Sequence, residues 1–119
     1  MRTFLLIGLG LLGYLSYAQC NYNMQNSQTV NLSTANCCSS ANFYDSGGSS
    51  GNYNNNEDLV MTFLAASSQR LYADFVSFSL AAGDTLWVYD GNSTSAPLRW
   101  LFTGTALPPD ISSEGNALT

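Results

Sequence analysis

The chain has 119 residues, three basic and eight acidic side chains and a formal charge of −5, with neither histidine nor lysine. Lack of histidine excludes Ser-His-Asp and Cys-His nucleophile pairs and the commoner zinc sites, and with Arg2, Arg70 and Arg99 as the only cations a phosphate-binding face for nucleic acid is excluded too. Charged residues are 9% of a chain crowded with Asn, Ser, Thr and Gly, a balance that suits one all-β extracellular domain with a modest core.

Arg2 is followed by the apolar run Phe4 to Leu15 and then Ser16-Tyr17-Ala18. This pattern predicts a secretory signal peptide over residues 1–18, with Ser16 and Ala18 as the small residues of a cleavage site before Gln19. The run falls short of the roughly 20 apolar residues that cross a bilayer. Gln19 precedes Cys20, where a lipoprotein anchor needs a small residue. The expected product is secreted, acidic and without a further membrane segment.

An arm over residues 19–36 comes next, and Cys20, Cys37 and Cys38 form an odd set at its two ends. Export permits disulfides. Pairing of Cys20 with Cys37 or Cys38 would staple the arm to the domain entrance, whereas a bond between the adjacent Cys37 and Cys38 would be strained. The leftover thiol has three open fates: a residue beyond this chain, another chain, or burial as a small apolar group. Three sulfurs leave a structural zinc short of its fourth ligand.

From Ser39 to Asn56 nearly every residue is Gly, Ser, Asn, Asp or Tyr, which predicts successive turns. Leu59 to Leu64 then reads as a strand buried on both sides, and Leu71 to Val76 as a strand with one wetter face. Thr85 to Tyr89 is a third strand, stopped by Asp90-Gly91-Asn92, and Leu98 to Phe102 a fourth, stopped by Gly104. No long window carries a helical period. Short strands separated by turn signals predict an antiparallel β-sandwich, jelly-roll-like in form.

Several of these segments resemble the CUB family. Tyr89-Asp90-Gly91-Asn92-Ser93-Thr94, after Asp84-Thr85-Leu86-Trp87-Val88, is similar to the family's Tyr-Asp-Gly hairpin. Gly51-Asn52-Tyr53-Asn54-Asn55-Asn56-Glu57 resembles its Ser-Pro-Asn-Tyr-Pro turn, Leu71 through Phe78 its strand with two phenylalanines, and Leu98 through Gly104 its Phe-Cys-Gly strand. The most specific match is Pro108 through Thr119, similar to Pro-x-Ile-x-Ser-x-Gly-Asn-x-Leu-Thr. Asp45-Ser46-Gly47-Gly48 with Gly51-Asn52-Tyr53 resembles the opening of the bacterial secreted branch. The resemblance covers residues 37–119 and implies a domain that stops before the family's closing strands; a fragment of a longer product, or a partner that completes it, is then expected.

Departures from the family pattern bear on its disulfides and calcium. Leu59 and Thr103 stand where two cysteines of many animal members lie. Of the calcium ligands that the resemblance implies, Asp84 is present, Ala81 takes the place of a Glu, and a later Asp would fall past Thr119. One carboxylate is a poor start for a cation that takes six to eight oxygens, so no cofactor is expected and calcium rests on Asp84 alone.

Gly47-Gly48-Ser49-Ser50-Gly51 has the spacing of a nucleophile elbow but lacks the strand, helix and histidine that such an elbow needs. Asn31-Leu32-Ser33 and Asn92-Ser93-Thr94 are glycosylation sequons. Tyr53, Tyr72, Trp87, Tyr89 and Trp100 read as core aromatics before they read as a binding platform. The expected function is a noncatalytic binding module of a secreted protein, recognising an extracellular protein or glycan through loops that carry Tyr53, Glu57, Asp84, Asp90 and Asn92. The alternatives are an accessory domain of a longer exported enzyme such as a peptidase, and part of a structural or adhesive surface protein.

Overall fold

A computed structural model describes residues 20–25, 27–33 and 41–119. The expected signal peptide, Cys37 and Cys38 lie outside these residues. The described chain is all-β, with nine strands and no helix: β1 (Cys20–Asn23), β2 (Gln28–Asn31), β3 (Ala41–Tyr44), β4 (Met61–Leu64), β5 (Tyr72–Ala73), β6 (Leu86–Tyr89), β7 (Leu98–Phe102), β8 (Ile111–Ser112) and β9 (Ala117–Leu118).

The strands form several small sheets. β4 lies between β2 and β9, β1 pairs with β3, β5 with β8, and β6 with β7. The expectation of purely antiparallel pairing is corrected at the N-terminal side, where β1 pairs with β3 and β2 with β4 in parallel. Parallel partners need a long connection, and residues 24–40 and 32–60 supply one for each pair. The stretch expected to be turns also contains β3, whose Phe43 and Tyr44 are good strand formers. A partner distant in sequence decides such a case: the registered pair Asn21 and Asn42 adds a side-chain bond, Asn42 Nδ2 donating to Asn21 Oδ1 at 3.0 Å.

β4 is flanked on both edges and is buried or half-buried throughout, as the apolar run from Leu59 predicts. Its Phe63 meets Tyr22 and Phe43 edge-on, with ring centroids 6.2 and 5.2 Å apart, and so packs the β1–β3 pair onto the sheet. β5 is much shorter than the expected strand. Its partner β8 offers only two residues, between Pro109, which has no N–H to give, and the turn at Gly115. The alternation nevertheless continues past the ladder: Leu71 is buried, Tyr72 and Val76 stand out in solvent, and Phe75 is half-buried.

β6 and β7 form the expected hairpin, with Leu86 opposite Phe102 and Val88 opposite Trp100 on its inner face. Trp87 and Leu101 pair on the outer face and stay exposed. Leu71, Val88, Ile111 and Leu118 form the centre of the core, with Phe63, Phe75, Trp100 and Phe102 packed around it. Phe75, Phe78 and Phe102 meet edge-on at 5.5 to 6.2 Å, the arrangement ring quadrupoles favour.

Candidate functional site

The sharpest polar arrangement is built by the turn after β3. Asp45 opens it: its Oδ1 accepts the Gly47 N–H at 2.8 Å and its carbonyl the Gly48 N–H at 3.1 Å, an Asx-type turn. Gly47 is required there because the Asn52 backbone occupies the space a Cβ would fill, and Gly48 takes a φ of 75°. These two glycines fold the chain back so that residues 53–57 sit beside Ser46. Ser46 Oγ donates to Glu57 Oε2, and the Asn54 N–H and Nδ2 donate to the two Glu57 oxygens at 3.2 and 2.8 Å. Those donors, Ser46 first and Asn54 second, hold the Glu57 carboxyl below its ordinary value of 4.5.

Tyr53 carries the turn to a second loop. Its phenol donates to Asp84 Oδ2 at 2.7 Å and accepts the Ala81 N–H at 2.7 Å. Asp84 also donates its N–H to the Ala81 carbonyl, closing the loop that bears both. The Ala81 N–H pulls the Tyr53 phenol toward ionisation, but the Asp84 hydrogen bond, desolvation and the charges of Asp84 and Asp45 together raise it above 10.0. Two expected ligand residues, Tyr53 and Asp84, thus come into direct contact, and Glu57 belongs to the same turn as Tyr53. Ser46, Asn54 and Ala81 complete the arrangement; in the sequence they stand out only as members of the family-like motifs or, for Ala81, as a missing calcium ligand, and not as binding residues. Asp45-Ser46-Gly47-Gly48 is the signal that pointed to this turn.

For calcium, Asp84 has one oxygen occupied by Tyr53, and Ala81 contributes an N–H where an oxygen is needed. Among the described residues no three Cys, Asp or Glu side chains gather at one point. This set does not fit a cation that takes six to eight oxygens. The nucleophile-elbow spacing does follow a strand, β3, which corrects one part of the sequence argument, but turns follow Ser49 in place of a helix.

Asp90 and Asn92 lie elsewhere, on the β6–β7 turn. The Asp90 side chain is 6% exposed and faces Arg99 Nη1 at 3.3 Å. Its two oxygens accept the Glu114 N–H at 3.0 and 3.2 Å, and Arg99 Nη1 also donates to Glu114 Oε1. Arg99 lies 5.3 Å from the Trp100 ring centroid. Asp90 therefore pins the β8–β9 turn to the hairpin. Asn92 is exposed and lines a groove of about 240 Å³ beside β2 and β4. Of the aromatics, Trp100 packs on the core, while Tyr72 and Trp87 are exposed.

No protein-family model matches the chain, and no curated protein matches it.

Proposed function

We propose that this chain is a noncatalytic binding module of an exported protein, a β-sandwich of the CUB kind, which holds an extracellular protein or glycan on its loops. The observation that carries this reading is the Tyr53 phenol, bonded at once to Asp84 and to the Ala81 N–H. One exposed-edge side chain ties together two loops far apart in sequence, which fixes a polar surface at little conformational cost on binding. The acidic turn with Glu57 gives that surface its character. Secretion accords with the N-terminal segment, and export would permit a disulfide of Cys20 to Cys37 or Cys38.

The test uses the full chain exported to a bacterial periplasm and displayed against arrays of extracellular glycans and secreted proteins. Tyr53→Phe and Asp84→Asn are expected to weaken a specific response about tenfold, the loss that corresponds to about 1.4 kcal/mol. Binding indifferent to both substitutions would remove this surface from the function. Intact mass of the exported product is expected to begin at Gln19 and to show two hydrogens missing for one disulfide; calcium titration of the same material is expected to give no site in the micromolar range.

A further inference from the structure

Between the start of β2, the entry to β4 and the β6–β7 turn lies the groove of about 240 Å³ that Asn92 lines. The polar groups that matter are Gln28 and Thr29 on one wall, Thr62 at the back, and Asn92, Ser93 and Thr94 on the other wall, with Val60 as an apolar contact. In a chain of charge −5 no charged side chain lines this groove. A charged ligand would lose its hydration there with nothing to pair against. Hydroxyls and carboxamides both donate and accept, and they match a ligand whose own groups do the same. Among the described residues, the side chains of Gln28, Thr29, Asn92 and Thr94 make no hydrogen bond within the chain.

The walls are also held relative to one another. Thr29 is in register with Thr62 across the β2–β4 ladder. Thr119 Oγ1 donates to the Gly91 carbonyl at 2.9 Å and meets Thr62 Oγ1 at 2.9 Å. The back of the groove is thereby bonded to the turn that carries Asn92, so the polar groups are positioned before any ligand arrives. The volume lies below the about 300 to 1,000 Å³ of sites for drug-sized ligands, and suits one ring.

We propose that this groove is a subsite for one neutral sugar residue of an extracellular glycan. The proposal rests on the binding-module reading and gives that module its ligand class. Its test is titration of the ¹⁵N-labelled full chain, made in a bacterial host so that Asn92 stays unmodified. The probes are the methyl glycosides of glucose, galactose, mannose and N-acetylglucosamine, with methyl glucuronide as a charged control. Saturable amide shifts confined to residues 27–29, 60–62 and 92–94 are expected with at least one neutral glycoside at a Kd near 1 mM, about −4 kcal/mol. Gln28→Ala and Asn92→Ala are each expected to weaken binding about threefold or more without moving distant signals. Absence of saturable shifts at the groove overturns the proposal. So does equal binding of the glucuronide. Shifts clustered instead around Tyr53 and Asp84 would overturn the groove while leaving a glycan-binding module standing, and a protein ligand that binds equally well to Gln28→Ala would do the same for a protein-binding one.

Discussion

Tyr89 and Thr119 exchange both of their backbone hydrogen bonds, at 2.7 and 3.0 Å, the mark of an antiparallel hydrogen-bonded pair. Because β9 also pairs with β4, this one exchange connects the β2–β4–β9 sheet to the β6–β7 hairpin. The Thr119 side chain strengthens the junction. Its single proton goes to the Gly91 carbonyl, so the bond with Thr62 must be donated by Thr62, giving a chain from Thr62 through Thr119 to Gly91.

That direction of donation makes the two threonines unequal. Thr119→Val leaves both the buried Thr62 hydroxyl and the Gly91 carbonyl without their partner, and is expected to cost about 1 to 3 kcal/mol. Thr62→Val removes only a donor to Thr119 and is expected to cost less. The double variant should fall short of the sum of the two, since no orphaned Thr62 hydroxyl remains. Urea melts of the four proteins check this; strict additivity would show that the two hydroxyls do not interact.

Ser113 is 1% exposed and works as a clamp on β5. Its Oγ accepts the Leu71 N–H at 2.8 Å and donates to the Gly115 carbonyl at 2.6 Å, while its own N–H bonds the Leu71 carbonyl at 3.0 Å. Ser113→Ala strands the buried Leu71 N–H and takes a partner from the carbonyl of the exposed Gly115, so a loss of about 1 to 3 kcal/mol is expected. At about 4 to 8 °C per kcal/mol for a domain this small, calorimetry should register it clearly. Ser113→Thr keeps the hydroxyl and should recover most of the loss.

Two carboxylates are held below their ordinary 4.5: Glu57 by Ser46 and Asn54, and Glu114 by the Arg99 hydrogen bond and charge. A lowered value in the folded state means that the unfolded chain takes up protons first as the solution is acidified. Their stabilisation is therefore complete above pH 4.5 and fades as pH falls through the lowered values. Glu57→Gln and Glu114→Gln are each expected to flatten the acid limb of a melting-temperature profile. Both groups are exposed, so added salt should shrink the Glu114 effect in particular. A profile unchanged in either variant would remove that residue from the acid response.

How much of this was legible beforehand depended on the range of the interaction. β4 and the β6–β7 hairpin were readable because their apolar residues and the stop at Asp90-Gly91-Asn92 are local signals. β1 and β2 were not, because Cys20–Asn23 and Gln28–Asn31 are mostly polar and become strands only by pairing with β3 and β4 far along the chain. The contact of Tyr53 with Asp84 had the same obstacle: both residues were picked out as surface candidates, but no pattern in sequence says that they touch. Asp90 shows the reverse error, since its place in a turn suggested exposure while Arg99 and the Glu114 N–H draw its side chain inward.

The Tyr53–Asp84 contact also has a signature at the alkaline end. Ionising Tyr53 would place a phenolate against the Asp84 carboxylate, and although the Ala81 N–H favours the phenolate, the opposing influences prevail and raise the group above 10.0. A value raised in the folded state gives stability that is complete below pH 10 and lost as pH rises through the folded value. Tyr53→Phe should abolish that loss while removing the hydrogen bond to Asp84 at neutral pH. Asp84→Asn should instead bring the Tyr53 titration down, because the charge is gone while the Ala81 N–H still donates to the phenol oxygen. Ultraviolet difference titration of the tyrosinate band separates these cases. If the Tyr53→Phe difference spectrum shows Tyr53 ionising at or below pH 10 in the otherwise unaltered chain, the two loops are not joined through this side chain, and the surface proposed for binding loses the contact that fixes it.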